Sequence, residues 1–207
     1  GLYGALYPFI NGGFEYTLNR NVPIRNNIAQ LNQWEAKAGV QLPLNLSGGK
    51  MFRFTNVGVN YVQSQQQFIG LYKDTFGVRN FGYLNYFLRW SQQVQKATQH
   101  IFSRFGWAVA GNYRQAVIRL KGYQLLGTAS LLLPGVHVNH NLVFTGGFQQ
   151  RDTVRALFSN NFANSRGFSE NYLSKMWRTS ANYHFPIAYP DWGFGNLAYL
   201  LRIRGNA

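Results

Sequence analysis

The sequence predicts an all-β chain, an antiparallel transmembrane β-barrel of which about nine to ten strands are present. Three observations carry that reading. Apolar and polar residues alternate over long stretches, the mark of strands with one dry face. The strands so marked run mostly about 10 to 18 residues, longer than the 5–6 usual in soluble sheets and enough for the roughly 9–11 of a tilted membrane strand. The polar positions are Asn, Gln, Ser, Thr, Gly and Arg, with only three glutamates (Glu15, Glu35, Glu170) in 207 residues.

The segments follow in order. Phe14, Tyr16 and Leu18 oppose Glu15, Thr17 and Asn19. Trp34, Ala36, Ala38, Val40, Leu42 and Leu44 oppose Gln33, Glu35, Lys37, Gly39 and Gln41. A weaker alternation covers Met51–Val62. Leu84, Tyr86, Leu88, Trp90 and Val94 oppose Asn85, Arg89, Ser91, Gln93 and Gln95. Ile101, Phe105, Trp107, Val109 and Tyr113 oppose Arg104, Gly106, Asn112 and Arg114. Tyr123, Leu125, Ala129 and Leu131 oppose Gln124, Thr128 and Ser130. Val136, Val138, Leu142, Phe144 and Phe148 oppose His137, Asn139, Asn141, Thr145 and Gln149. Trp177, Ala181, Tyr183 and Phe185 oppose Arg178, Ser180, Asn182 and His184, and Leu197, Tyr199, Leu201 and Ile203 oppose Asn196, Arg202 and Arg204.

Tight turns are expected at Ser47–Lys50, Lys96–Gln99 and Leu133–Gly135, and longer connections at Asn19–Gln30, Gln65–Val78 and Arg151–Asn171. Such alternation fits the two ends of an outer-membrane barrel. No linker or composition break divides the chain, so residues 1–207 are read as a single β-barrel domain fragment.

Composition narrows the function. The net charge is +14, yet only 13% of residues are charged and 17% are aromatic, which excludes a disordered chain. No two Lys or Arg are adjacent, and the aromatics fall on the dry face, so nucleic acid is not an expected partner. Absence of cysteine removes disulfides, thiolate metal sites and cysteine nucleophiles. No apolar run is long enough for a transmembrane helix, and the first residues carry no signal-peptide pattern. The missing initiator Met fits a mature or excised piece of a longer protein.

No catalytic constellation stands out: there is no nucleophile elbow and no phosphate loop ahead of a helix. Asp152 and Glu170 flank one long loop, with nothing in the sequence to bring them together. Of the four histidines (His100, His137, His140, His184), His137 and His140 would lie on opposite faces of a strand and so hold no metal between them. No enzyme activity, cofactor or metal is expected. Arg89, Arg104, Arg114, Arg178, Arg202 and Arg204 all fall on the polar face and form a candidate anion-leaning lumen lining.

The stretch from Asn164 to Ala207 adds a resemblance. It holds Arg166-Gly167-Phe168 in a long loop, then Tyr183-His184-Phe185-Pro186-Ile187, then a glycine-containing turn and a strand ending Arg202-Ile203-Arg204-Gly205. This order resembles the C-terminal barrel of the bacterial surface antigen family, the outer-membrane assembly and translocation superfamily. The resemblance implies that Arg166, Gly167 and Phe168 form a loop tip folded back into the lumen, and that Tyr183, Phe185 and Pro186 belong to the strand after it. It also implies a sixteen-stranded barrel in the bacterial outer membrane, with strands before and after those present here. Its expected partners are outer-membrane lipid, client outer-membrane or translocated proteins and periplasmic accessory proteins. Two positions depart from the family pattern: Asn182 stands where an acidic residue precedes the Tyr, and the family's aromatic-x-Asp would fall just beyond Ala207. The implied function is insertion or translocation of proteins without covalent chemistry. A passive anion-leaning channel and a soluble ligand-binding barrel are the alternatives.

Overall fold

The computed structural model describes residues 7–24, 27–96, 102–137, 139–153, 157–164, 173–190, 192–195, 198–200 and 203–207. Eight long strands follow one another: β1 (Phe9–Ile24), β2 (Asn27–Asn45), β3 (Met51–Ile69), β4 (Val78–Val94), β5 (Gly106–Ile118), β6 (Gly122–Pro134), β7 (Asn141–Arg151) and β8 (Lys175–Ala188). They range from 11 to 19 residues. One helical turn, α1 (Lys73–Phe76), sits between β3 and β4 after a 3-10 turn at Gly70–Tyr72. Three short strands close the chain: β9 (Trp192–Phe194), β10 (Ala198–Leu200) and β11 (Ile203–Asn206).

The fold is all-β. The long strands and β11 form one antiparallel sheet in the order β1-β2-β3-β4-β5-β6-β7-β8-β11, with β1 and β11 at its open edges, while β9 and β10 pair as a separate ribbon. From β1 to β8 every sequential pair is a hairpin neighbour, whereas β8 pairs with β11 past the β9–β10 ribbon. No helix among the described residues is long and apolar enough to cross a membrane.

Register turns the alternation into two faces. One transverse row runs Ile10, Val40, Val59, Tyr86, Tyr113 and Leu125 across β1 to β6, and the next runs Leu42, Val57, Leu88, Gly111, Gly127, Phe148 and Trp177 across β2 to β8. On the opposite face lies the row Asn11, Gly39, Asn60, Asn85, Arg114, Gln124 and Arg151, followed by Asn56, Arg89, Ala110, Thr128, Gly147 and Arg178. The apolar face is the exposed one: Ile10 is 88%, Phe14 70% and Trp177 76% accessible. Aromatics stack across strands on it, as Trp90 with Trp107 and Tyr86 with Tyr113.

What is buried lies against the polar face. One cluster joins Val62, Phe81, Tyr83 and Ala116 to Leu157 and Phe158 of the β7–β8 connection. Near the β3–β4 connection a second joins Ala29, Leu31 and Phe68 under Tyr72 and Phe76, with the Arg79 guanidinium over the Phe68 and Phe76 rings at 5.1 and 4.7 Å.

Several local expectations are corrected. Asn19–Gln30 is a strand hairpin, not a loop: β1 continues to Ile24 through a register shift after Thr17, where Asn19 adopts a φ of 51°. Asn tolerates that left-handed angle, and its N–H donates to Asn32 Oδ1 at 3.0 Å. The turn expected at Lys96–Gln99 lies, from residue 97 on, outside the described residues; β4 ends at Val94 and β5 begins at Gly106, so Arg104 precedes the strand. Val136 is not in a strand either, since β6 ends at Pro134 and β7 starts at Asn141. The turn at Ser47–Lys50 stands, closed by Gly48 and Met51 pairing both ways at 3.0 and 3.2 Å with Gly49 at a φ of 59°.

Candidate functional site: the polar face and the segment folded onto it

The polar face is built by every second residue of the strands, which is why Asn, Gln and Arg repeat there. Across it lies the described part of the β7–β8 connection, Leu157–Asn164. Phe158 packs edge-on against Tyr83 of β4 with ring centres 5.1 Å apart. Ser159 Oγ accepts from Arg20 Nη2 of β1 at 2.7 Å, and its carbonyl accepts from Gln124 Nε2 of β6 at 2.9 Å. Asn160 Oδ1 accepts from Gln149 Nε2 of β7 at 2.8 Å. The Asn164 carbonyl accepts from Arg178 Nη1 of β8 at 3.4 Å, and that guanidinium lies 5.9 Å from the Phe162 ring centre.

This bridging requires curvature. In a flat sheet β1 and β6 would be about 24 Å apart, and side chains would stand perpendicular to it. Arg20 and Gln124 nevertheless meet on one residue. The sheet is therefore rolled with its polar face inward, around Leu157–Asn164.

A connected network continues from Ser159. Arg20 Nη1 donates to Gln33 Oε1 at 2.7 Å, and Gln33 Nε2 donates to Glu35 Oε1 at 2.7 Å and Ser64 Oγ at 3.1 Å. The Tyr83 hydroxyl reaches the same Glu35 oxygen at 3.4 Å. Gln124, Gln149 and Ser64 are fully buried. Burying such groups is tolerated because they are hydrogen-bonded. Some polar atoms on this face lack a protein partner among the described residues, namely the side-chain oxygens of Asn56, Asn60 and Asn85 and Arg114 Nε. Water would satisfy them in a wet interior.

The sequence-predicted residues are placed as follows. Arg89, Arg114, Arg178 and Arg204 share the polar face by register. Arg114 Nη1 donates to Gln124 Oε1 at 3.5 Å, and Arg89 and Arg204 are exposed. Arg104 is removed from the strand wall because it precedes β5. Arg202 and the loop motif Arg166, Gly167 and Phe168 lie outside the described residues. Tyr183 and Phe185 sit side by side on β8, ring centres 6.3 Å apart. The Phe185 ring covers Gly205 of β11, where a Cβ would come within 2.5 Å of it. Pro186 opposes Arg204 beside a register shift.

Sequence reasoning missed Arg20, Tyr83 and Ser159. Arg20 was hidden by reading Asn19–Gln30 as a loop. Tyr83 is an aromatic residue on the polar side of its own alternation, and that parity was its available signal. The polar face also carries Lys37, Arg79 and Arg151 against Glu15 and Glu35, so its charge is positive. No group of three or more His, Asp or Glu is close enough to hold a metal among the described residues. Comparison with family models finds no match, and neither the curated proteins nor the solved structures give a significant one.

Proposed function

We propose that this chain is the wall of an outer-membrane β-barrel whose interior is occupied by its own β7–β8 connection. The observation that carries the reading is the polarity of the sheet: a row of large apolar side chains faces outward, while the side chains buried on the other face include the amides of Gln33, Gln124, Asn141 and Gln149. Tyr123, Leu125, Gly127, Ala129, Leu131 and Leu133 form an uninterrupted apolar line on β6. That line spans about 34 Å along the strand at roughly 3.4 Å per residue. Tilted by about 40–45°, it covers about 25 Å, the height of the apolar band of such barrels. A soluble barrel would have the opposite polarity.

Within this reading the chain acts in insertion or translocation of outer-membrane proteins, as its resemblance to the surface antigen family implies, without covalent chemistry. The Leu157–Asn164 segment supports this over an open pore, because this described part of the β7–β8 connection runs over the polar face. The positive charge of that face favours the second reading, an anion-leaning channel. Client proteins, periplasmic accessory proteins and outer-membrane lipid are the corresponding partners.

Purification and reconstitution test both levels. The protein should require detergent, show heat-modifiable gel migration, and speed the folding of an unfolded outer-membrane protein into phosphatidylethanolamine–phosphatidylglycerol vesicles. Anion-preferring conductance without such acceleration selects the channel. A monodisperse protein in plain buffer overturns both.

A further inference from the structure

The connection between β6 and β7 brings together two histidines that the strand pattern would hold apart. On a strand His137 and His140 would project to opposite faces, about 10 Å apart along the chain. Instead the His140 N–H donates to the His137 carbonyl at 3.1 Å and the Gly135 N–H to the His140 carbonyl at 2.9 Å. His137 and His140 are thus closed on each other by a turn-type hydrogen bond, with Asn139 at a φ of 67°. A turn places its first and fourth residues side by side. The two imidazole ring centres are accordingly 5.5 Å apart, with their planes inclined at 53°.

That spacing suits a shared ligand. A divalent transition metal sits about 2.0–2.1 Å from an imidazole nitrogen, so two imidazoles on one ion at a tetrahedral angle have ring centres about 5.3 Å apart. His140 is also held as a metal-bound histidine is held: its Nδ1 lies 2.8 Å from the Tyr183 hydroxyl. With Nδ1–H donated to that oxygen, Nε2 keeps its lone pair, the arrangement by which an outer partner fixes ring orientation and tautomer. The hydroxyl is itself steadied by the Val136 N–H at 3.3 Å.

We propose that the His137–His140 turn binds one divalent transition-metal ion through the two imidazoles, with Tyr183 as the positioning residue for His140. Imidazole nitrogen selects the late first-row ions over Mg²⁺ and Ca²⁺, and Cu²⁺ should bind more tightly than Ni²⁺ or Zn²⁺. The site is independent of the polar face and of the function proposed for it.

Titration of the full chain, folded in detergent micelles, with Cu²⁺ and with Zn²⁺ tests this. One ion per chain is expected, and Cu²⁺ paramagnetic resonance should show coupling to two imidazole nitrogens. His137→Ala and His140→Ala should each weaken binding at least about tenfold, and Tyr183→Phe about tenfold with the stoichiometry kept. His184→Ala should change nothing. His137 is exposed, so its variant keeps the fold, as unchanged heat-modifiable migration would confirm. Absence of saturable one-to-one binding, or binding undiminished in both histidine variants, overturns the proposal.

Discussion

Arg20 and Ser159, 139 positions apart in the chain, meet in a 2.7 Å hydrogen bond from Nη2 to Oγ. The contact ties the first long strand to the connection folded over the polar face. It is charge-assisted, and the same guanidinium also holds Gln33. Arg20→Ala should therefore lower stability by about 1.5–3 kcal/mol, the usual value for hydrogen bonds to a charged group. Ser159→Ala removes the hydroxyl but keeps the carbonyl that Gln124 uses, so it should cost about 1 kcal/mol. Urea unfolding in micelles measures both, and limited proteolysis should cut the β7–β8 connection faster in the Arg20 variant. Native midpoints in both variants would show that the segment is not braced from β1.

A charge placed on either face tests which one meets lipid. Leu125 lies on the apolar face, in register with Tyr113 and Gln150. Ser130 lies on the polar face, in register with Ala108 and Thr145. Leu125 lies between the middle and the end of the apolar line from Tyr123 to Leu133, so Leu125→Arg should impair folding into vesicles by about 1–3 kcal/mol, between the interfacial and mid-bilayer costs. Ser130→Lys should fold almost as the native chain does. Equal behaviour of the two variants would contradict the proposed orientation.

The faces were legible because a period of two is a local property: Trp34, Ala36, Ala38 and Val40 need only each other to be recognised. Strand ends were less so. Alternation ran on through Ile101 and Phe105, but pairing of β5 begins at Gly106, opposite Gln93. The buried Ser103 before it instead has its hydroxyl against Gln93 Oε1, 3.3 Å away. Asn19–Gln30 was expected as a connection, yet β1 runs on through Pro23 to Ile24, and as an edge strand it tolerates the missing N–H. The path of Leu157–Asn164 was not legible, since its partners on β1, β4, β6, β7 and β8 are set by the curvature of the whole sheet. The histidine pair was misread for a related reason: a turn replaced the strand from which its geometry had been inferred.

Charge reversal on the polar face bears on the channel reading. Arg89 and Arg204 share that face and are exposed, so Arg89→Glu and Arg204→Glu should change stability by no more than about 0.5 kcal/mol each. In a planar bilayer under a KCl gradient, the double variant should move the reversal potential toward cation preference. An unchanged potential would mean that permeating ions do not pass these residues, or that the interior is closed by Leu157–Asn164. The same measurement on Arg20→Ala separates the two, because loosening that segment should raise conductance only in the second case.

Two glycines on the sheet should respond oppositely to the same substitution. Gly58 of β3 lies beneath Phe87. A Cβ there would come within 2.5 Å of the ring and 2.7 Å of the Val40 carbonyl. The ring can turn aside, but the carbonyl belongs to the ladder and cannot move alone. Gly58→Ala should therefore destabilise the chain by about 1–3 kcal/mol, the usual cost of overpacking. Adding Phe87→Ala should recover only the part due to the ring. Gly127 of β6 has no atom within 4 Å of its Cβ position. Gly127→Ala should be neutral or stabilise by up to about 1 kcal/mol, by restricting the unfolded chain. Unfolding midpoints in micelles measure both, and equal losses at the two sites would show that Gly58 is not closely covered.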